Sequence, residues 1–278
     1  MDIRWIDEKH RGMAFHRDGR LLWLSVPAYD TIPWLANGFS TRFGGVSTGD
    51  AASLNFDFKR DTNPENVREN TRRFASAVGV TPESVVCTDQ THTARVIRVT
   101  AEDRGKGVFR ELTWHDVDGL ITNEPDVALT VHTADCAPVY LVDPVRRAVG
   151  LVHSGWRGTA AGIGRAAVEQ MRAAFGTSPS DLICAIGPCI AADCYEVSAD
   201  VAAQFPPSVS RRKENGKYML DLMAANREVL TGAGVPRDRI FMPNLCTCCN
   251  PDLFFSHRAS HGRRGVLCAL LAIRPAVG

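Results

Sequence analysis

The stretch Val127-Ala128-Leu129-Thr130-Val131-His132-Thr133-Ala134-Asp135-Cys136-Ala137-Pro138-Val139-Tyr140-Leu141-Val142 decides how the fold is read. It contains two apolar runs, 127–133 and 138–142, parted by a short polar insert that ends in a cysteine. A third run, 148–152, follows closely, and all three are of ordinary strand length. Immediately beyond them the period changes. Ile163, Ala167, Met171 and Ala174 share one face, which predicts a helix over 160–175.

The same alternation of signals extends in both directions. Upstream, strands are expected over 85–88 and 95–100, broken by Asp89-Gln90-Thr91-His92. The clearest helix begins at Asn63-Pro64-Glu65. Asn63 suits the cap, Pro64 the first helical position, Val67, Phe74 and Val78 the buried face, and Gly79 the stop. Residues 1–33 read as strands with a turn at Asp18-Gly19, and 38–45 as a strand running into a glycine turn. Downstream, strands fit 181–186, 240–242 and 265–273, and helices fit 198–205 and 221–233. Strands and helices interleave without strict alternation. The expected class is α/β (α+β), a mixed β-sheet flanked by helices. No Pro- or Gly-rich linker interrupts the chain, so 1–278 reads as one domain.

Composition narrows the function. The chain has 278 residues, 45% hydrophobic and 23% charged, as in an ordinary globular protein. Its 32 Lys and Arg against 31 Asp and Glu leave a net charge of +1, too little to attract nucleic acid or an anionic membrane. No apolar run approaches the length of a membrane span, and the charged N-terminus lacks a secretory core. Nine cysteines, an odd number at low density, read as reduced thiols in a cytoplasmic protein. Cys87, Cys184 and Cys268 lie in strand patterns and read as core. Cys246-x-x-Cys249 has the spacing of half a zinc site, with Cys189-x-x-x-x-Cys194 as a loose second half. Reduced thiols packed at a strand end are the simpler expectation there.

Three segments place reactive side chains at strand ends: Gln90-Thr91-His92, Asp135-Cys136 and His153-Ser154-Gly155-Trp156-Arg157-Gly158. Two imidazoles and a thiolate suit Zn²⁺, and three protein ligands with a free position suit a catalytic site. Their separations match no local ligand spacing, and each imidazole taken alone reads equally well as a buried, satisfied side chain. The glycines of the third segment allow a tight turn into a helix. Its N–H groups, with Arg157, make an anion site there as reasonable as a plain structural turn. His132 precedes Cys136 by one turn of sequence and fits the strand alternation better than a ligand role.

The run Thr133-Ala134-Asp135-Cys136-x-Pro138, followed by His153-x-Gly155-Trp156-Arg157-Gly158, resembles the laccase-domain or polyphenol oxidase-like family. That family is also described as purine nucleoside phosphorylases and as peptidoglycan editing factors. Further matches run in order through Ser40-Thr41-Arg42-x-Gly44-Gly45, Asn63-Pro64-x-x-Val67-x-x-Asn70, Gln90-x-His92, Tyr195-Glu196-Val197, Cys246-Thr247 and Phe254-Phe255-Ser256-x-Arg258. They span about 39–273. Where the family usually has Ser-Tyr-Arg-Arg, this chain has Ser256-His257-Arg258-Ala259, followed by a His- and Arg-rich loop.

The resemblance implies one Zn²⁺ held at His92, Cys136 and His153, with purine nucleosides and inorganic phosphate as substrates. The implied activities are phosphorolysis of adenosine, inosine and methylthioadenosine, and deamination of adenosine. Arg157, with Arg42 as second candidate, is then the expected phosphate holder. Three other readings stand beside this one: a non-catalytic metal-binding scaffold, a copper-dependent polyphenol oxidase, and a hydrolase editing peptidoglycan precursors. The eight histidines form no His-x-His pair, which disfavours a multicopper oxidase. A His₂Cys copper site would want a weak axial Met, and none lies near these ligands in sequence. The His-x-Glu of cytidine-type deaminases is also missing.

Overall fold

The computed structural model describes residues 2–275. In chain order its strands are β1 (Ala14–Asp18), β2 (Leu21–Ser25), β3 (Leu35–Ser40), β4 (Val85–Cys87), β5 (Val96–Arg98), β6 (Gly119–Thr122), β7 (Ala128–Thr133), β8 (Ala137–Asp143), β9 (Ala148–Ser154), β10 (Ile183–Ile186), β11 (Glu196–Val197), β12 (Ser210–Arg212), β13 (Tyr218–Leu220), β14 (Ile240–Phe241) and β15 (Leu267–Ile273). The helices are α1 (Pro64–Val78), α2 (Trp156–Ala160), α3 (Ile163–Phe175), α4 (Ala199–Ala202) and α5 (Leu222–Gly232).

The strands are mixed, as the α/β (α+β) class requires, and they divide between two six-stranded sheets with a small third. The first has the order β1-β2-β3-β15-β7-β4, the second β14-β10-β8-β9-β6-β5, and the third β11-β13-β12. The two consecutive runs of the opening stretch part company here: β7 lies in the first sheet and β8 in the second. Phe39, Leu129, Val131 and Leu271 from one sheet meet Tyr140, Val142, Val149 and Leu151 from the other in one buried cluster. A fully buried side chain of this size contributes about 1.5–3 kcal/mol through lost apolar exposure. The outer faces are covered by helices. On the first sheet Phe74, Ala75 and Val78 of α1 pack on Ala36 and Leu270. On the second, Ile163 and Met171 of α3 and Leu230 of α5 pack on Ile121, Leu141 and Val152.

Local rules account for most boundaries. The Asn63 side chain accepts from the Glu65 N–H at 3.0 Å, and Gly79 closes α1 at φ 82°. Asp221 caps α5 by accepting from the Ala224 N–H at 2.8 Å. The helix expected over 160–175 is instead two. Gly162 takes φ 79°, a left-handed conformation that ends α2 after five residues and starts α3.

The chain passes between the large sheets twice where it matters. The β4–β5 loop carries His92, and the three-residue β7–β8 connection carries Cys136. Among the described residues no helix is long and apolar enough to cross a membrane.

Candidate metal centre

Each of the three candidate ligands lies at or beyond the carboxyl end of a strand. His92 comes after β4, Cys136 after β7, and His153 is the penultimate residue of β9, paired with Pro138. The two sheet crossings and the end of β9 meet at one corner. There the ligand atoms of His92, Cys136 and His153 all lie within 4.8 Å of one another. The Cys136 Sγ stands 3.9 Å from His92 Nε2. The two imidazoles meet edge to face, with ring centres 4.9 Å apart. His153 is 3% exposed, Cys136 is half-buried, and His92 faces the solvent-filled side.

One buried carboxylate organises this corner. Asp118, fully buried just before β6, accepts from His153 Nδ1 at 2.8 Å. It also accepts from the N–H groups of Thr91, His92 and Thr93 at 3.1, 3.1 and 2.8 Å, and from the Thr93 hydroxyl at 3.0 Å. The Asp118 carbonyl accepts from the His153 N–H at 2.7 Å. This network settles the tautomer of His153: Nδ1 carries the proton and Nε2 turns toward Cys136. It also holds the loop in which His92 adopts φ 68°. Burial works against the charge of Asp118, and the bonds from His153 and Thr93 outweigh it, keeping its pKa below the usual carboxylate range.

Without a metal the electrostatics describe a thiolate–imidazolium pair, whose His153 proton a metal ion has to displace. Burial pushes the Cys136 thiol up, but His153 and His92 beside it dominate and bring it down to about 6. His153 shows the counterpart. Burial lowers it, and Cys136 and Asp118 together lift it to about 9. Gly155 leaves room for the ligands, since a Cβ there would stand 2.8 Å from His92 Cδ2 and 2.9 Å from Cys136 Sγ. A soft-and-borderline donor set of two imidazoles and one thiolate, with its outer partner already in place, fits a zinc-type ion.

Other parts of the recurring motifs serve the Cys136 loop. Asp135, at φ 92°, accepts from the Thr247 hydroxyl at 2.6 Å and from the Arg258 N–H at 2.7 Å. Gln90 clamps the end of β7: its side chain accepts from the His132 N–H at 2.7 Å and donates to the His132 carbonyl at 2.6 Å. His132 stacks on Phe56, and burial takes its imidazole down to about 4, uncharged at neutral pH.

The ligands open into a cavity of about 830 Å³. Its lining combines apolar Phe56, Phe58, Val108 and Phe109 with cationic Lys59, Arg60, Arg68, Arg110 and Arg264 and anionic Asp57, Asp89 and Glu111. Among the described residues its lining includes neither Arg42 nor Arg157. Arg42 donates to the Ala52 carbonyl at 3.0 Å and the Pro251 carbonyl at 3.0 Å, over the Phe255 ring. Arg157 is exposed and lies 4.3 Å over the ring of Trp156, its neighbour in the short α2. Arg264 differs from both. Its Nε is buried with no hydrogen-bond partner among the described residues, and burial together with Arg60 pulls its pKa below the usual guanidinium range.

Comparison with known proteins places this geometry. The family described as multi-copper polyphenol oxidoreductase laccase matches residues 36–274. The chain belongs to this family. It is 40% identical over 245 residues to the purine nucleoside phosphorylase YlmD of Geobacillus stearothermophilus, covering 85% of this chain and 89% of that one. It is 36% identical over 193 residues to the adenosine deaminase RL5 of an unknown prokaryotic organism, covering 66% and 73%. The crystal structure of the Geobacillus stearothermophilus YlmD superposes with a TM-score of 0.87 at 38% identity, covering 94% of this chain and 99% of that one.

Sequence reasoning missed two residues of this site, Asp118 behind the ligands and Arg264 in the cavity lining. A lone Asp before a strand reads as a surface carboxylate, and only its place between the fully buried Val117 and Leu120 hinted that Asp118 is internal. Arg264 sat in a loop noted only for its richness in Arg and His. Replacing Asp118 by Asn removes the charge and puts an amide donor where five donors converge. Metal affinity should fall about 10–100-fold, as for other partners of metal-bound histidines. Competition against a chromophoric chelator measures it, and unchanged affinity in a folded variant would remove Asp118 from this role.

Proposed function

We propose that the chain is a zinc-dependent purine nucleoside enzyme. It cleaves adenosine, inosine and methylthioadenosine with inorganic phosphate, and deaminates adenosine. The observation that carries this reading is the opening of His92, Cys136 and His153 into a cavity lined by both aromatic and cationic side chains. Its volume lies within the range of small-molecule sites. The printed names of the relatives, purine nucleoside phosphorylase and adenosine deaminase, support it. Zinc is favoured over copper by the donors. Among the described residues the cavity lining contains no methionine to serve as an axial ligand, and the sequence has no His-x-His pair.

A zinc ion held there supplies Lewis-acid chemistry at an open coordination position. The protein groups do the rest. Asp118 fixes His153 and the His92 loop. Phe58 and Phe109, which line the cavity and are only partly buried, offer apolar surface to a purine. Arg264, seconded by Arg60, receives phosphate, whose oxygen bonds to the ribose C1′ as the bond from C1′ to the purine nitrogen breaks. The base leaves with the electron pair and takes up a proton. In deamination water replaces phosphate, and the cationic side chains contribute little.

The test is an assay of purified protein with adenosine and phosphate. Equimolar adenine and ribose 1-phosphate should form, disappear with a chelator and return with added Zn²⁺. Zinc-loaded protein that releases no free base from any of the three nucleosides would overturn the reading.

A further inference from the structure

A second group of potential ligands lies outside the catalytic corner. Cys194, Cys246 and Cys249 place their sulfurs within 4.8 Å of one another, and the sulfurs of Cys194 and Cys249 are 3.3 Å apart. They come from two segments locked side by side. Cys189 and Cys246 form a parallel bridge, and the Thr247 N–H donates to the Cys189 carbonyl at 3.0 Å. Cys246-Thr247-Cys248-Cys249 is a tight turn whose last N–H points back at the first sulfur, 3.4 Å from Cys249 N to Cys246 Sγ. The Ala191 N–H donates to the same sulfur at 3.2 Å. On the far side Arg258 donates to the carbonyls of Cys194 at 3.0 Å and Glu196 at 2.9 Å, placing a cation next to the cluster.

We propose that Cys194, Cys246 and Cys249 form a second, thiolate-only site for a thiophilic divalent cation, with Zn²⁺ as its natural occupant. Spacing decides between this and a disulfide. Sulfurs on a tetrahedral zinc at about 2.3 Å stand roughly 3.7–3.8 Å from one another; Cys194 and Cys249 stand 3.3 Å apart with all three sulfurs within 4.8 Å, so a small shift reaches that spacing. A disulfide joins only two sulfurs at about 2.05 Å, leaving the third without a purpose and the turn N–H groups unexplained. The ion braces the 189–194 and 246–249 segments against each other, beneath the Asp135–Thr247 bond that holds the Cys136 loop. The site is independent of the catalytic reading and stands or falls separately.

The probe is Cd²⁺, added to metal-free protein kept reduced with a phosphine and followed by sulfur-to-metal charge-transfer absorption. Cys136→Ser, which breaks the first centre, should still take up one equivalent with a strong band. Adding Cys194→Ser and Cys249→Ser should abolish that uptake. A folded Cys136→Ser protein that binds no Cd²⁺ would overturn the proposal, as would a band that survives all three substitutions. A second measurement needs no variant. Zn²⁺ should slow iodoacetamide labelling of Cys194 and Cys249 in the wild type about tenfold or more, because coordination removes the free thiolate. Equal labelling with and without Zn²⁺ overturns the site.

Discussion

On the proposed zinc-dependent function, Cys136→Ser should abolish zinc binding at the His92–Cys136–His153 corner and lower phosphorolysis by about a thousandfold. The size follows from Lewis-acid stabilisation worth several kcal/mol, about 4 kcal/mol corresponding to a factor near 10³. The substitution is nearly isosteric at a half-buried position, so the fold should persist. His92→Ala, at an exposed ring, should behave the same way. His153→Ala is a harsher change. It leaves Asp118 buried without its imidazole partner, at a cost of about 1–3 kcal/mol, so stability falls together with metal content. Elemental analysis beside circular dichroism separates these effects. Full zinc occupancy at the corner in folded Cys136→Ser would sink the ligand assignment.

The parts of this fold that were legible share a property: their signals are local. Asn63, Pro64 and Gly79 mark both ends of α1 because capping depends on residues within one turn. The runs 127–133, 138–142 and 148–152 announce strands through continuous apolarity. That same continuity hides which sheet each strand joins, because a strand buried on both faces has no alternation to orient it. Hence β7 and β8, three residues apart, gave no sign that they belong to different sheets. The strands β11, β12 and β13, each two or three residues long and partly polar, carried no pattern at all. The break at Gly162 was visible only as one glycine inside a long helical period, which helices commonly tolerate.

The site divides in the same way. Spacing could not group His92, Cys136 and His153, since their proximity depends on two sheet crossings. The family motifs grouped them, and the geometry adds why those motifs recur. Thr247 and Arg258, remote in sequence from Cys136, both bond the Asp135 carboxylate beside it. Gln90 clamps the strand that delivers Cys136. The cysteine triad was half legible. The Cys246-x-x-Cys249 spacing was on view, while the third sulfur comes from Cys194 rather than from a Cys189–Cys194 pair.

Arg264→Gln should slow phosphorolysis of adenosine by roughly a hundredfold or more, whereas Arg157→Lys should change it by about twofold at most. The sequence pointed to Arg157 because two glycines precede a helix start. The helix that forms is five residues long, and its guanidinium lies on Trp156, outside the cavity lining. Arg264 lines that cavity, with a buried Nε lacking a partner among the described residues and with Arg60, itself paired with Asp57 at 3.5 Å, nearby. The unpartnered N–H of Arg264 is a donor that a phosphate oxygen can satisfy. A guanidinium also meets two phosphate oxygens at once, which the Gln amide cannot match in charge or geometry. Losing such a contact costs on the order of 3 kcal/mol when it acts on developing charge in a site shielded from water. Deamination consumes water in place of phosphate, so Arg264→Gln should leave it much closer to wild type. The measurement is a pair of rates on one preparation, adenine release in phosphate buffer and inosine formation without phosphate, with zinc content checked. Equal loss of both rates would assign Arg264 to purine binding or to the fold. A phosphate-specific loss in Arg157→Lys instead would return the anion site to the turn after His153.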